Sequence, residues 1–169
     1  MKIAKLIASI FAGILIIAIA VNYFIRVSGF SDERSQGIIF YWLEHNFYSE
    51  NYRNYVKSSD YSGRAINLMM KHGGQILSDD SEEIIGDRKE AINYLEQALT
   101  AAYQVEDSYL IQSHPNLKTL YRNKYQTSME LFLKGLQTRN ITHLEEAVPV
   151  YNEFLALMKE NQDKFKRIR

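Results

Sequence analysis

Beyond the first thirty positions, apolar residues recur mostly at spacings of three and four, which is the pattern of amphipathic helices. This pattern predicts helices over residues 38–56, 64–77, 80–104, 115–137 and 142–165. No segment alternates apolar and polar residues for long enough to predict a strand. We therefore expect an all-α protein, with about five helices after the N-terminal segment.

Polar residues mark where these helices should begin and end. The cluster Ser58-Ser59-Asp60 should end the first helix. Asp80 with Glu83, and Thr142 with Glu145, have the spacing of a capping box, in which a side chain accepts a bond from a free N–H at the helix start. These pairs predict the first turns of the third and the last helix.

Three of the predicted helices carry a stripe of small or apolar residues on one face. Such stripes bury against neighbouring helices, and small side chains let the backbones approach closely. The stripes are Ala91, Leu95, Ala98 and Ala102; Leu117, Tyr121, Tyr125, Ser128, Phe132 and Gly135; and Ala147, Tyr151, Phe154 and Met158.

An uncharged, mainly apolar stretch runs from Leu6 to Ile25 and follows two lysines. Twenty residues in a helix span about 30 Å, the thickness of a hydrocarbon core. The sequence therefore predicts a transmembrane signal-anchor at residues 1–26, a tether at 27–37 and a helical domain at 38–169.

The alternative for this segment is a cleaved signal peptide of a secreted helical protein, with Ala18-Ile19-Ala20 as the cleavage site. The apolar run continues past that site, which favours the anchor. We expect a single-pass protein of the inner (cytoplasmic) membrane, with its N-terminus in the cytoplasm and its soluble domain in the periplasm. Under both interpretations the helical domain is exported across the membrane.

The helical domain resembles tetratricopeptide repeats. Residues 90–99, Glu-Ala-Ile-Asn-Tyr-Leu-Glu-Gln-Ala-Leu, look like the second helix of such a repeat, and Gly86-Asp87 resembles the turn before it. Gly135, Ala147 and Tyr151 fall at corresponding offsets in the last hairpin, although its spacing from the first exceeds the family's period of 34. The resemblance, from about Arg64 to Leu157, implies degenerate helical hairpins that bind peptides or helices; a generic helical bundle is the alternative.

Charge and composition narrow the range of functions that we expect for this chain. Lys plus Arg equals Asp plus Glu at 20 each, which argues against a nucleic-acid binder, and the absence of cysteine removes thiolate chemistry. No phosphate-binding loop, nucleophile elbow or metal-binding spacing is present, so we expect no catalytic, cofactor-binding or metal-binding residues. The acidic run at 79–83 suits a helix start, with a weak divalent-ion site as the alternative. The histidines, expected to be solvated or locally bonded, are His45, His72, His114 and His143.

The first predicted helix carries an aromatic stripe that could bind a partner, because tyrosine and tryptophan are frequent in binding hot spots. The competing interpretation is that these tyrosines cover the core, with their hydroxyls in water. The candidate partner-binding residues are Tyr41, His45, Tyr48, Tyr52 and Tyr55.

Together these features predict a non-enzymatic, membrane-anchored protein–protein interaction module that acts as a scaffold or assembly factor. We expect its partners to be proteins, as subunits of a membrane complex, and the lipid bilayer, but not nucleic acid. The alternative is a small accessory subunit of a larger membrane complex, bound mainly through the transmembrane helix itself.

Overall fold

The computed structural model describes residues 49–161, and all regular structure among them is helical. This confirms the predicted all-α class for this part of the chain. The elements are α1 (Glu50–His72), α2 (Gln75–Ser78), α3 (Glu82–Gln104), α4 (Asp107–Ser113), α5 (Leu117–Leu120), a π-helical segment π1 (Tyr121–Gln126), α6 (Thr127–Thr138) and α7 (Ile141–Asn161).

The first described helix, α1, runs unbroken through the cluster Ser58-Ser59-Asp60, so the predicted helix end at this cluster is wrong. Ser58 is fully buried, and its hydroxyl donates to the carbonyl of Ala98 on α3 at 2.8 Å. The Tyr125 hydroxyl of π1 donates to the Ser58 carbonyl at 2.7 Å. The polar residue therefore joins α1 to its neighbours instead of ending the helix.

The start of α3 also differs from the prediction. Its N-cap is Ser81, without a side-chain cap bond, and Asp80 instead pairs with Arg139 at 2.8 Å. The predicted capping box with Glu83 is therefore wrong. Gly86 and Asp87 lie inside α3, where the tetratricopeptide resemblance placed a turn between helices.

A buried arginine and a half-buried one hold the connections at the two ends of α3. Arg88 donates from Nε to the Ile76 carbonyl at 2.6 Å, which ties α2 to α3. Arg122 bonds to the carbonyls of Ala102 and Val105, where α3 ends. Carbonyls near a helix end often lack the donor that a following turn would supply, and the arginines donate to such groups here. The Ala102 carbonyl also accepts from the Val105 N–H at 3.3 Å.

Helices α6 and α7 form a hairpin through a two-residue connection, Arg139 and Asn140. Arg139 has a left-handed backbone with φ of 52°, and the Asn140 side chain accepts from the Thr142 backbone N–H at 3.0 Å. Asn140 thus caps α7, and the predicted capping box of Thr142 and Glu145 is wrong. A short connection of this kind places two helices antiparallel and in contact.

The stripes on the third and fourth predicted helices are buried as expected. On α3, Ala91, Leu95, Ala98 and Ala102 have no exposed surface. On the fourth predicted helix, the stripe tyrosines Tyr121 and Tyr125 stack with ring centroids 4.9 Å apart inside the core. The α7 stripe is mixed, since Ala147 and Phe154 are buried whereas Tyr151 and Met158 are half-buried.

Between residues 49 and 161, no helix combines the length and the hydropathy needed to cross a membrane. The predicted anchor at 1–26 and the tether at 27–37 lie outside the described residues. The same holds for residues 38–48 and 162–169 of the domain predicted at 38–169, so these boundaries remain predictions.

Candidate functional site

An apolar groove of about 440 Å³ lies between the end of α1, the middle of α6 and one face of α7. Its floor includes Met69 and Phe132, which belong to the core. Its walls are the side chains of Ile66, Met70, Ile141, Leu144, Val148, Tyr151 and Leu155.

The walls of the groove expose large apolar side chains to solvent. Met70 is 76% exposed, and Ile141, Val148 and Leu155 are each between 45% and 47% exposed. Single exposed apolar residues are ordinary, but several around one concave surface are typical of a binding site. Methionines at such a surface adapt their shape to different partners.

Local sequence explains why the groove is open at the end of α1. Gly73 follows the helix with φ of 55°, and its N–H donates to the Met69 carbonyl at 2.8 Å. This left-handed conformation suits glycine, which is the usual residue just past a helix end. Gly73 and Gly74 both line the groove, and no side chain from this turn fills it.

The opposite wall is set by a close approach of α6 and α7. A Cβ atom on Gly135 would lie only 2.5 Å from the Leu144 Cδ2 atom, so glycine is what lets Leu144 sit against α6. Ile141, Leu144, Val148 and Leu155 then present a second apolar face of α7 toward the groove.

The groove is lined mainly by apolar side chains, which suit packing against a partner rather than acid–base catalysis. Its polar lining side chains are those of Tyr151 and Asn152. Burial raises the pKa of the Tyr151 phenol, so this group stays neutral at physiological pH.

A separate cluster of ionisable groups lies where α1 ends and α3 begins. His72 Nε2 donates to Asp87 Oδ2 at 2.6 Å, and Lys71 Nζ donates to the same oxygen at 2.8 Å and to Glu83 Oε1 at 2.9 Å. Hydrogen bonds from His72 and Lys71 lower the pKa of the Asp87 carboxyl. Bonds to Asp87 and Glu83 raise the pKa of Lys71.

The predicted partner-binding residues are only partly described. Tyr41, His45 and Tyr48 lie outside the described residues. Tyr52 and Tyr55 are half-buried and pack against the core, and the Tyr55 ring lies 5.3 Å from that of Tyr121. Their role in binding a partner remains a prediction.

Sequence analysis missed the groove, and of the ionisable cluster its divalent-ion alternative at 79–83 included Glu83 but not His72 or Asp87. The signal for the groove was the second apolar face of α7, formed by Ile141, Val148 and Leu155 outside the buried stripe. The signal for the cluster was a basic helix end followed by Glu83 and Asp87 at a spacing of four.

Comparisons of this chain with models of protein families, with curated proteins and with solved structures give no match.

Proposed function

We propose that this chain is a membrane-anchored interaction module without catalytic activity, which acts as a scaffold or assembly factor by binding a partner protein in its apolar groove. The observation that carries this proposal is the exposure of Met70, Ile141, Val148 and Leu155 around one concave surface. Leaving such side chains in water is unfavourable, and a partner that covers them gains their burial.

The shape of the groove favours an amphipathic helix as the bound element. Along α7, Leu144, Val148, Tyr151 and Leu155 line the groove at spacings of four, three and four. A helix lying beside α7 presents apolar residues at the same spacing, so the two faces can interlock. From Ile141 to Leu155 the wall is about 21 Å long, which matches about four turns of a partner helix.

The membrane location rests on the uncharged stretch from residue 6 to residue 25, which has the length of a bilayer span. Tethering the domain to a membrane confines the search for a membrane-bound partner and raises its effective concentration. A groove of modest size is then sufficient for a stable association.

The likeness to tetratricopeptide repeats remains a hypothesis beside this proposal. The α6–α7 hairpin, with its close approach at Gly135, supports the hypothesis. The continuous α3 helix through Gly86-Asp87 weighs against a repeat boundary at that point.

A matched pair of substitutions tests the groove. Val148 is 47% exposed inside the groove, and Ile111 on α4 is 49% exposed outside it. The full chain carrying Val148→Asp or Ile111→Asp is extracted in mild detergent, and co-purifying proteins are quantified against the unchanged chain. We expect Val148→Asp to weaken recovery of the partner at least tenfold, about 1.4 kcal/mol, and Ile111→Asp to leave it unchanged.

Exchanging residues 6–25 for an unrelated spanning sequence separates this proposal from the accessory-subunit alternative. Recovery that survives the exchange but is lost with Val148→Asp supports the groove. Recovery that is lost with the exchange and kept with Val148→Asp would refute the groove and favour contact through the spanning segment.

A further inference from the structure

The cluster at the junction of α1 and α3 brings together three side chains of metal-binding type. His72 is the last residue of α1, and Glu83 and Asp87 lie one turn apart near the start of α3. Because residues four apart share a helix face, both carboxylates point toward the same histidine. One ligand atom from each of the three lies within 4.8 Å of the other two.

The exposed fraction of the three side chains increases from the inner to the outer side of the cluster. The His72 side chain is 9% exposed, that of Asp87 is 19% exposed, and that of Glu83 is 69% exposed. The packed imidazole is therefore held in place, whereas the outer carboxylate can move. An ion can enter from the side of Glu83 without any change in the core.

We propose that His72 Nε2, Glu83 Oε1 and Asp87 Oδ2 form a binding site for a divalent transition-metal ion of the zinc type. One imidazole with two carboxylates is a donor set that Zn²⁺ accepts, with water at the remaining position. Ca²⁺ requires six to eight oxygen ligands, which this set does not provide.

Forming the site needs only small movements. Zinc–ligand distances of about 2.0–2.2 Å place neighbouring ligand atoms about 3.3 Å apart in a tetrahedral site. His72 Nε2 and Asp87 Oδ2, now 2.6 Å apart in a hydrogen bond, must separate slightly after the imidazole releases its Nε2 proton. The exposed Glu83 side chain moves inward to complete the set.

Lys71 would compete through its ammonium group with a metal ion for the position between the two carboxylates. Its ammonium group bonds to both carboxylates, and it occupies the place of a cation between them. Its side chain is 52% exposed, so it can swing into water when an ion enters. Removing this basic side chain should therefore strengthen the binding of a cation.

A bound ion would join the end of α1 to the start of α3. The connection between them begins with Gly73 and Gly74, which line the apolar groove, and continues through α2. The ion would therefore fix one rim of the groove, and its binding can be tested without any partner.

The test is titration of the full chain with ZnCl₂ alone, by isothermal calorimetry in detergent, with a purification tag that lacks histidine. We expect one saturable site in the unchanged chain and at least tenfold tighter binding in Lys71→Met. Glu83→Gln should weaken binding at least tenfold, and His72→Ala should abolish this site. The matched control His114→Ala, outside the cluster, should bind like the unchanged chain.

Circular dichroism of each variant shows whether it is folded, and Glu83→Gln decides the outcome if His72→Ala is not, because Glu83 is largely exposed. Zinc binding that is unaffected by Glu83→Gln, or by a folded His72→Ala, would overturn the proposal. So would the absence of zinc binding in both the unchanged chain and Lys71→Met.

Discussion

Replacing Ser58 tests whether the buried hydroxyls between α1, α3 and π1 hold these elements together. The Ser58 hydroxyl donates to the Ala98 carbonyl at 2.8 Å and lies 2.7 Å from the Tyr125 hydroxyl. The Tyr125 hydroxyl also bonds to the Ser58 carbonyl at 2.7 Å. The Ser58 and Tyr125 hydroxyls have one proton each, and the three contacts share these two protons. Two full hydrogen bonds therefore exist at any moment.

The expected loss in the free energy of unfolding follows from this number of hydrogen bonds. Ser58→Ala removes the donor to Ala98, and Tyr125→Phe removes the donor to the Ser58 carbonyl. Each loses one full buried hydrogen bond, so each should lower the free energy of unfolding by about 1 kcal/mol. Packing changes little, because both substitutions remove a single oxygen atom.

Urea unfolding of the full chain in mild detergent, followed by far-ultraviolet circular dichroism, measures this loss. Ser59→Ala is the matched control, since Ser59 is the exposed neighbour on the same helix. Its effect should stay within about 0.5 kcal/mol. If Ser58→Ala and Ser59→Ala unfold at the same urea concentration, the proposed role of the buried hydroxyls is refuted.

Three further predictions concern pH and close packing. Burial raises the pKa of Tyr55 to about 12. The contribution of the neutral phenol to stability is therefore present below about pH 10 and is lost as pH rises toward 12. Tyr55→Phe should make unfolding at alkaline pH less steep. Hydrogen bonds from Lys118 and a neighbouring arginine lower the pKa of Asp107, so its contribution is present above about pH 4 and is lost as pH falls through the lowered value. Asp107→Asn should therefore reduce stability at pH 7 and flatten acid unfolding, and an unchanged acid profile would contradict this. Gly135→Ala should be about 1–3 kcal/mol less stable than Gly63→Ala in urea, because an added Cβ meets a leucine at Gly135 and nothing within 4 Å at Gly63.

The helical class and much of the core were predictable because they depend on a pattern within each helix. Ala91, Leu95 and Ala98 recur at the helical period, and that period alone places them on one buried face. No knowledge of the neighbouring helices was needed for this part of the prediction.

The helix ends were less predictable, because local polar signals compete with distant partners. Ser58 has the composition of a helix end, but its hydroxyl bonds across to α3. Asp80 has the spacing of a cap, but it pairs with Arg139, which lies 59 positions away in the sequence. Contacts of this range leave no periodic trace in the sequence.

The groove was not predictable for the same reason. It requires the end of α1 to lie beside α6 and α7, which are more than fifty residues further along the chain. The exposed faces of Met70 and Val148 become a concave surface only after these helices pack together. The sequence contained the apolar residues but not their arrangement.

The most direct test of the groove is site-specific photo-crosslinking in intact membranes. A benzophenone amino acid replaces Val148 in the groove or, as a matched control, Ile111 outside it. We predict one discrete crosslinked protein from position 148, its loss when Met70→Asp is added, and no such product from position 111. Equal crosslinking from both positions, or a product at 148 that persists with Met70→Asp, would contradict the proposed binding groove.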